Sequence, residues 1–256
     1  MNLKMICDNI LTMTFSNKKM IIDMMGPMNL WKYGYYYGYI NVIKMMSDDG
    51  IDPSMDNNNA IKYALSQDYV EIVRLLLKDK RINPSINCNH IIQYASKNGY
   101  SDIVKLLLMY KRVDPSDYNN DAIKYASKNG HVEVIKLLLK DKRVDPSDDN
   151  NLAIRYASEN GYVEVIKLLL KDERVDPSDL DNYAIRWASH NGYVEVVKLL
   201  LTDKRVDPSD RNNWSIIWAS ENDHIKVVKL LLTDKRVDPN DCDNHVIKFA
   251  SHLQSY

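Results

Sequence analysis

The chain is poor in the residues that define several common classes of protein. Its 256 residues include only three cysteines, Cys7, Cys88 and Cys242, an odd number at wide spacing. Such cysteines do not form the disulfide framework of a small secreted domain, and their spacing is not that of a metal site. We therefore expect free thiols in a reducing compartment. This predicts an intracellular protein, in the cytoplasm or nucleus, that is not secreted.

The chain also has no large excess of positive or negative charge. Lysine and arginine together number 34, against 35 aspartate and glutamate residues, which gives a formal net charge of −1. A nearly neutral chain offers no basic field to nucleic acid, so we expect no nucleic-acid partner. No apolar run reaches the length of a membrane span, and the first residues are too polar for a signal peptide. We expect no membrane partner either.

Proline is scarce as well, yet seven of the eight prolines are evenly spaced. Only Pro27 falls outside a series with a step of 31 residues. The series is Pro53, Pro84, Pro115, Pro146, Pro177, Pro208 and Pro239. A fixed period of this size is typical of a stacked repeat array.

One period, from Val144 to Lys171, predicts a turn followed by two helices. Asn151 is placed to cap a first helix over residues 153–158, and Gly161 supplies the left-handed residue that ends it. The second helix follows at once and is apolar over most of its circumference. Its predicted inner face carries Val163, Ile166, Leu169 and Leu170. A helix this apolar must be covered, so we expect neighbouring copies to stack.

The run Asn-Gly-Tyr-Val-Glu-Val-Ile-Lys-Leu-Leu-Leu and the turn after it resemble the second helix and loop of an ankyrin repeat. The resemblance covers roughly residues 29–251 and implies an all-α solenoid of stacked helix-turn-helix units joined by hairpin-like loops. The short repeat, rich in Asn, Lys, Ile and Tyr, resembles the ankyrin-repeat proteins of giant amoebal DNA viruses. The resemblance implies a non-catalytic, monomeric scaffold without a cofactor. It also implies that the concave face binds a partner protein, such as a protein of a host cell.

This resemblance divides the chain into four predicted parts. They are an N-terminal arm or capping helix (1–23), a degraded capping repeat (24–53), six full repeats (54–239) and a C-terminal half-repeat cap (240–256). The last helix of the cap is predicted from Val246 to about Leu253. The Leu and His positions of the family's first helix are Ile154 and Arg155 in this chain.

Several recurring patterns have structural explanations that we favour over functional ones. We interpret the repeated Asp-Lys-Arg as a solvated loop with local ion pairs, and acidic clusters such as Asp145, Asp148 and Asp149 as turn caps, not calcium ligands. Irregular spacing and a missing fourth ligand argue against zinc at Cys242, His245 and His252. We expect one aromatic column to pack in the core between repeats: Tyr63, Tyr94, Tyr125, Tyr156, Trp187, Trp218 and Phe249.

The copies differ from one another mainly three, six and thirteen residues after each proline. On the ankyrin resemblance these positions fall at the hairpin tip, just before the first helix and on its exposed end, which is the family's recognition surface. The predicted partner-binding residues are Tyr118, Asp121, Leu152, Leu180, Tyr183, His190, Arg211, Trp214 and Glu221. Aromatic and arginine side chains dominate interface energetics, so we centre the site on Tyr183 and Trp214.

Three alternatives stay open at this point. The variation could be drift at unconstrained exposed positions. The chain could contain an enzyme or metal-dependent module that uses its divergent N-terminus, although Ser127, Ser158 and Ser189 only repeat one position of the array. It could also bind nucleic acid, which would require a basic face and a strongly salt-dependent affinity.

Overall fold

The structure is a computed structural model that describes residues 3–83 and 90–238, and within these ranges every regular element is helical. The α-helices are α1 (Leu3–Asn9), α2 (Phe15–Met25), α3 (Pro27–Tyr36), α4 (Ile40–Asp48), α5 (Met55–Ser66), α6 (Val70–Leu77), α7 (His90–Lys97), α8 (Ser101–Leu108), α9 (Asp117–Lys128), α10 (Val132–Leu138), α11 (Asp148–Glu159), α12 (Val163–Leu169), α13 (Asp179–His190), α14 (Val194–Leu200), α15 (Asp210–Glu221) and α16 (Ile225–Leu231). A 3₁₀ turn, Ile10–Thr12, follows α1. The fold is the all-α repeat solenoid that the period predicts.

No strand occurs in the described ranges, so the loops between helix pairs are turns and not β-hairpins. No described helix combines the length and the apolar character needed to cross a membrane. The predicted half-repeat cap of residues 240–256 lies outside the described residues.

The chain forms two compact units, one of residues 1–94 with 102–114 and the other of residues 95–101 with 115–256. In the first unit α1 packs on α4, and Cys7 and Ile10 are fully buried. Asn41 donates from Nδ2 to the backbone carbonyl of Asp8 at 2.9 Å. Burial, reinforced by the charge of Asp8, raises the pKa of the Cys7 thiol. That residues 1–23 cap the array stays a prediction.

In the second unit the first helices α9, α11, α13 and α15 pack side by side, and so do the second helices α10, α12, α14 and α16. Val165, Ile166 and Leu169 of α12 are fully buried. Val163 and Leu170, predicted to face inward, are only half-buried. That part of the predicted face is wrong, because α12 is covered by α10, α11 and α14 and its buried side lies between them.

Each first helix of this unit opens with a left-handed turn. In α11 the φ angles of Asp149, Asn150 and Asn151 are 57°, 53° and 56°. The N–H of Asn151 closes the turn on the carbonyl of Ser147 at 2.8 Å. Among residues with a side chain, Asn and Asp tolerate this conformation best, which explains why they fill this turn in most copies.

Each second helix begins after a left-handed residue, which is glycine in most copies. Gly161 has φ +78°, and a Cβ there would lie 3.0 Å from the ring of Tyr193 in the next repeat. Glycine is therefore required by conformation and by close approach together.

Replacing Leu169 with Ala should lower the free energy of unfolding by about 2 to 5 kcal/mol, because a cavity opens at a fully enclosed site. Leu170→Ala, one residue further in the same chain segment but half-buried, should cost only about 1 kcal/mol. Denaturant unfolding of the two variants measures the difference. Equal losses would contradict the observed packing of α12.

Gly161→Ala should destabilise the protein by about 2 kcal/mol or more, since alanine is strained at positive φ and its Cβ displaces the ring of Tyr193. Gly50→Ala is the matched control, because Gly50 has φ +87° but open space around it. It should cost only the conformational part, about 1 kcal/mol. If Gly50→Ala proves as costly, the contact with Tyr193 contributes nothing.

Candidate functional site

In three successive repeats of the second unit, a buried asparagine bonds to the turn of the next repeat. Asn151 Oδ1 accepts from the backbone N–H of Asp176 at 2.8 Å, and its Nδ2 donates to the carboxylate of Asp179 at 2.9 Å. Asn120 and Asn182 make the equivalent bonds one repeat away in each direction. Asn151 was expected to cap its own helix. That prediction is wrong, because its left-handed backbone directs the side chain to the neighbouring turn.

The sequence contains a signal for this role. Asparagine stands five residues after every one of the seven periodic prolines, from Asn58 to Asn244. A cap tolerates Ser, Thr, Asp or Asn. An invariant amide instead indicates a position that must donate and accept at the same time.

Arginines of the first helices hold the left-handed turns from within. Arg186 donates from Nε to the carbonyl of Asp181 at 2.8 Å and from Nη2 to the carbonyl of Leu180 at 2.9 Å. Arg155 makes the same two bonds to Asp149 and Asn150. Asp149 and Leu180, each three residues after a proline, are thereby fixed in place.

The residues three after the prolines include large side chains in a strained conformation. Tyr118, Leu180 and Arg211 have φ angles of 54°, 50° and 52°. Tyr118 is 56% exposed and Leu180 is 43% exposed. Bulky residues at positive φ cost free energy and tend to cluster at functional sites. The positions predicted at a hairpin tip thus lie in a left-handed turn that presents them to solvent.

The repeated aromatic residues of the first helices lie at a half-exposed surface and not in the core. Tyr125, Tyr156, Trp187 and Trp218 are each half-buried. The core side of α11 is filled by small residues such as Ala157, which is fully buried. Rings do pack between repeats, since the centroids of Trp187 and Trp218 are 5.7 Å apart. Packing between repeats is therefore confirmed for this pair, whereas a place in the core is wrong.

Five rings on the same face of α13 and α15 form what we call the aromatic patch: Tyr183, Trp187, His190, Trp214 and Trp218. Along α13 the rings of Tyr183 and Trp187 are 5.6 Å apart, and along α15 those of Trp214 and Trp218 are 5.1 Å apart. The His190 ring lies edge-on to Trp187 at 5.2 Å and to Trp218 at 5.4 Å. The contacting rings form one continuous surface.

Arg186 lies among the rings of this patch. Its guanidinium carbon is 5.9 Å from the ring centroid of Tyr183, 5.6 Å from Trp214 and 5.9 Å from Trp218. The residue is only 6% exposed. Burial lowers the pKa of its guanidinium, and the positive charge of Arg211 lowers it further. Arg186 therefore orients three rings while holding a poorly solvated charge.

The remaining predicted residues surround the patch or continue its face. Arg211 pairs with Asp181, with its Nε 2.8 Å from Oδ2, and its guanidinium carbon is 5.7 Å from the ring of Trp214. Asp121 is half-buried and pairs with Lys124 at 3.0 Å. Leu152 is half-buried, and Glu221 is exposed at the end of α15. The structure thus brings Tyr183, His190, Arg211 and Trp214 together, with Tyr118 and Asp121 two repeats away.

The loop arginines are neutralised within their own turns. Arg143 pairs with the carboxylate of Asp141 at 2.7 Å, which holds the pKa of that carboxyl below its usual range despite partial burial. Arg174, Arg205 and Arg236 form equivalent pairs, each at 2.7 Å. The interpretation of these loops as local ion pairs is confirmed.

The acidic clusters of the turns accept hydrogen bonds from the protein itself. Asp145 accepts from the N–H and the hydroxyl of Ser147 at 3.0 and 2.7 Å, and Asp148 accepts from the N–H of Asp149 at 2.7 Å. Turn capping is therefore confirmed. Across the part of the chain that the structure describes, no group of three His, Cys, Asp or Glu residues could hold a metal ion. Cys242, His245, Phe249 and His252 lie outside that part.

A family model described as ankyrin repeats in three copies matches residues 92–181 and 154–243, which together span more than half of the chain. The chain belongs to the ankyrin-repeat family. Ankyrin repeats are generally protein-interaction modules and are typically non-catalytic. No curated protein matches the chain. In this ankyrin array the stacked helix pair is the part that repeats from copy to copy. The aromatic patch is confined to α13 and α15.

Replacing Asn151 with Ala should lower the free energy of unfolding by about 2 to 3 kcal/mol, because the N–H of Asp176 loses its acceptor and two bonds between repeats disappear. Asn150→Ala is the matched control. Asn150 has the same left-handed backbone but is exposed, so its replacement should cost at most about 1 kcal/mol. Comparable losses in chemical denaturation would show that the bonds between repeats are dispensable.

Proposed function

We propose that the protein is a non-catalytic scaffold that binds a partner protein through the exposed side of its first helices and the turns before them. The observation that carries this proposal is the aromatic patch. It places three tryptophans, a tyrosine and a histidine, with Arg186 among them, at or beside the positions where the copies differ. Protein interfaces draw most of their binding energy from clusters of Trp, Tyr and Arg side chains.

The patch has the organisation expected of a preformed binding surface. Trp214 is 37% exposed and Tyr183 is half-buried, so each ring has surface left for a partner. Both are fixed in place, Tyr183 by Trp187 and Trp214 by Trp218. Rings that are already ordered lose little conformational entropy on binding, which favours affinity.

The turn residues extend this surface towards one end of the first helices. Leu180 and Arg211 lie in the left-handed turns that open α13 and α15, and both are exposed despite their strained backbone. An exposed apolar residue in a strained conformation is better explained by binding than by packing. We place the partner across the turns and first helices of these repeats, on the face that corresponds to the family's concave surface.

The proposal includes the compartment, the oligomeric state and the origin of the protein. We propose an intracellular protein that acts as a monomer, and the short repeat fits an origin in a giant amoebal virus whose partner belongs to the host. Neither nucleic acid nor membrane is part of this proposal, since the net charge is near zero and the loop arginines are paired.

Changing Tyr183 and Trp214 together to Ala should abolish capture of the partner, because the two central rings of the surface are removed. Their partial exposure limits the loss of unfolding free energy to about 1 to 2 kcal/mol. The measurement is affinity purification of the tagged full chain from its native cell, with mass spectrometry, alongside thermal melts.

The double variant Ile225→Ala, Leu232→Ala is the matched control. These side chains are 42% and 36% exposed and belong to the same unit, but they lie on and after the second helix α16. The control should retain the partners that the wild type captures. Capture that survives loss of Tyr183 and Trp214, or that the control abolishes, would exclude the patch as the binding surface.

A further inference from the structure

One residue position in the first helices carries a cation whose electrostatic surroundings change along the array. It is the ninth residue after each proline, occupied by Lys124 in α9, Arg155 in α11 and Arg186 in α13. Lys124 is neutralised by two carboxylates, Asp121 at 3.0 Å and Asp149 at 3.3 Å. Both carboxylates come from variable positions.

In the next two repeats the same variable positions carry no acid towards the cation. Where Lys124 has Asp121 and Asp149, Arg155 has Leu152 and Leu180. Arg186 has Tyr183 and another cation, Arg211, at those two positions. Within the described residues, no carboxylate oxygen lies within 4.0 Å of Arg155 or Arg186. Their polar contacts are backbone carbonyls, which are neutral.

The nearest carboxylates are engaged elsewhere. Asp181 pairs with Arg211, and Asp210 accepts from Nδ2 of Asn182 at 2.9 Å. Burying a cation without a counter-charge is costly, and Arg186 is among the most buried charged residues of the described chain. A cost that the chain avoids at Lys124 is thus accepted at Arg186, while Arg155 is half-buried.

The two guanidiniums, neither of which forms an ion pair with a described carboxylate, flank a single ring. The centroid of Tyr183 lies 5.1 Å from the guanidinium carbon of Arg155 and 5.9 Å from that of Arg186. These distances limit the separation of the two cations to about 11 Å, within reach of one short peptide segment. Each guanidinium uses one edge on the turn, which leaves its remaining N–H groups for an acceptor.

We propose that the partner presents an acidic peptide segment to this face, with a carboxylate on Arg155 and Arg186 and an apolar side chain on Tyr183 and Trp214. This inference rests on the proposed function and specifies the chemistry of the partner. A carboxylate would supply the counter-charge that variable positions provide to Lys124. Arginine binds carboxylates through charge-assisted, directional hydrogen bonds, so specificity follows from the same contact.

A displayed library of short random peptides, selected on the immobilised full-length protein, tests the proposal. Selected peptides should share an Asp or Glu, and their Asn or Gln counterparts should bind about tenfold more weakly or worse by fluorescence polarisation. The variant Arg155→Gln, Arg186→Ile should bind the acid and amide forms equally. Both replacements occur in the chain itself, as Gln93 and Ile217 at the equivalent position, and Arg155→Gln alone serves if the double variant is unstable.

The outcomes separate this inference from the proposed function. Peptides that depend on Tyr183 and Trp214 but bind equally well as amides would overturn the acidic partner and leave the scaffold intact. Binding of a single-stranded oligo(dT) that is lost with Trp214→Ala would overturn it in favour of nucleic acid. If no selected peptide and no captured protein depends on the aromatic patch, both proposals fail.

Discussion

The central repeats of the array depend on a buried amide that bonds each to the next. The side chain of Asn151 joins two turns by donating to one group and accepting from another, and its backbone must be left-handed to do so. Both conditions fix the distance from one turn to the next along the chain. A repeat with one residue more or fewer in the first helix would misplace the amide relative to Asp176 and Asp179. This constraint accounts for a period that does not vary between Pro53 and Pro239.

A framework held in this way frees other positions for function. The amide and the buried aliphatic residues carry the stacking, so the residues three and six after each proline can change without loss of register. Left-handed geometry then aims them outward, as Leu180 and Arg211 show. The conformational cost is offset locally, because Arg186 donates to the carbonyls of Leu180 and Asp181. Arg186 therefore contributes both to the turn and to the aromatic patch, and links stability to recognition.

Much of this architecture could be predicted from the sequence, because helices, stops and loop ion pairs depend on neighbours in the chain. Gly161 and the pair of Arg143 with Asp141 are local in this sense. The periodic asparagine indicates a position that donates and accepts, but the partners of Asn151 could not be predicted, because capping and bonding between repeats use the same amide chemistry and differ only in backbone direction. The aromatic column was misplaced for a similar reason. Periodicity puts Trp187 on one helical face but does not tell whether Ala or Trp faces the core.

The proposed binding site follows from comparing, between repeats, the charges that surround the cation at the position of Lys124. A stacked array would be most stable if every cation at the position of Lys124 had its own carboxylates, since a paired buried charge costs less than an unpaired one. Arg155 and Arg186, which depart from that arrangement, flank the ring of Tyr183 in the aromatic patch. Stacking of the repeats does not explain why Arg155 and Arg186 lack carboxylate partners. Asn182 bonds to the next turn whether or not Arg186 has a carboxylate partner. A partner with both an apolar surface and a negative charge would cover the exposed rings and pair with the arginines in a single contact.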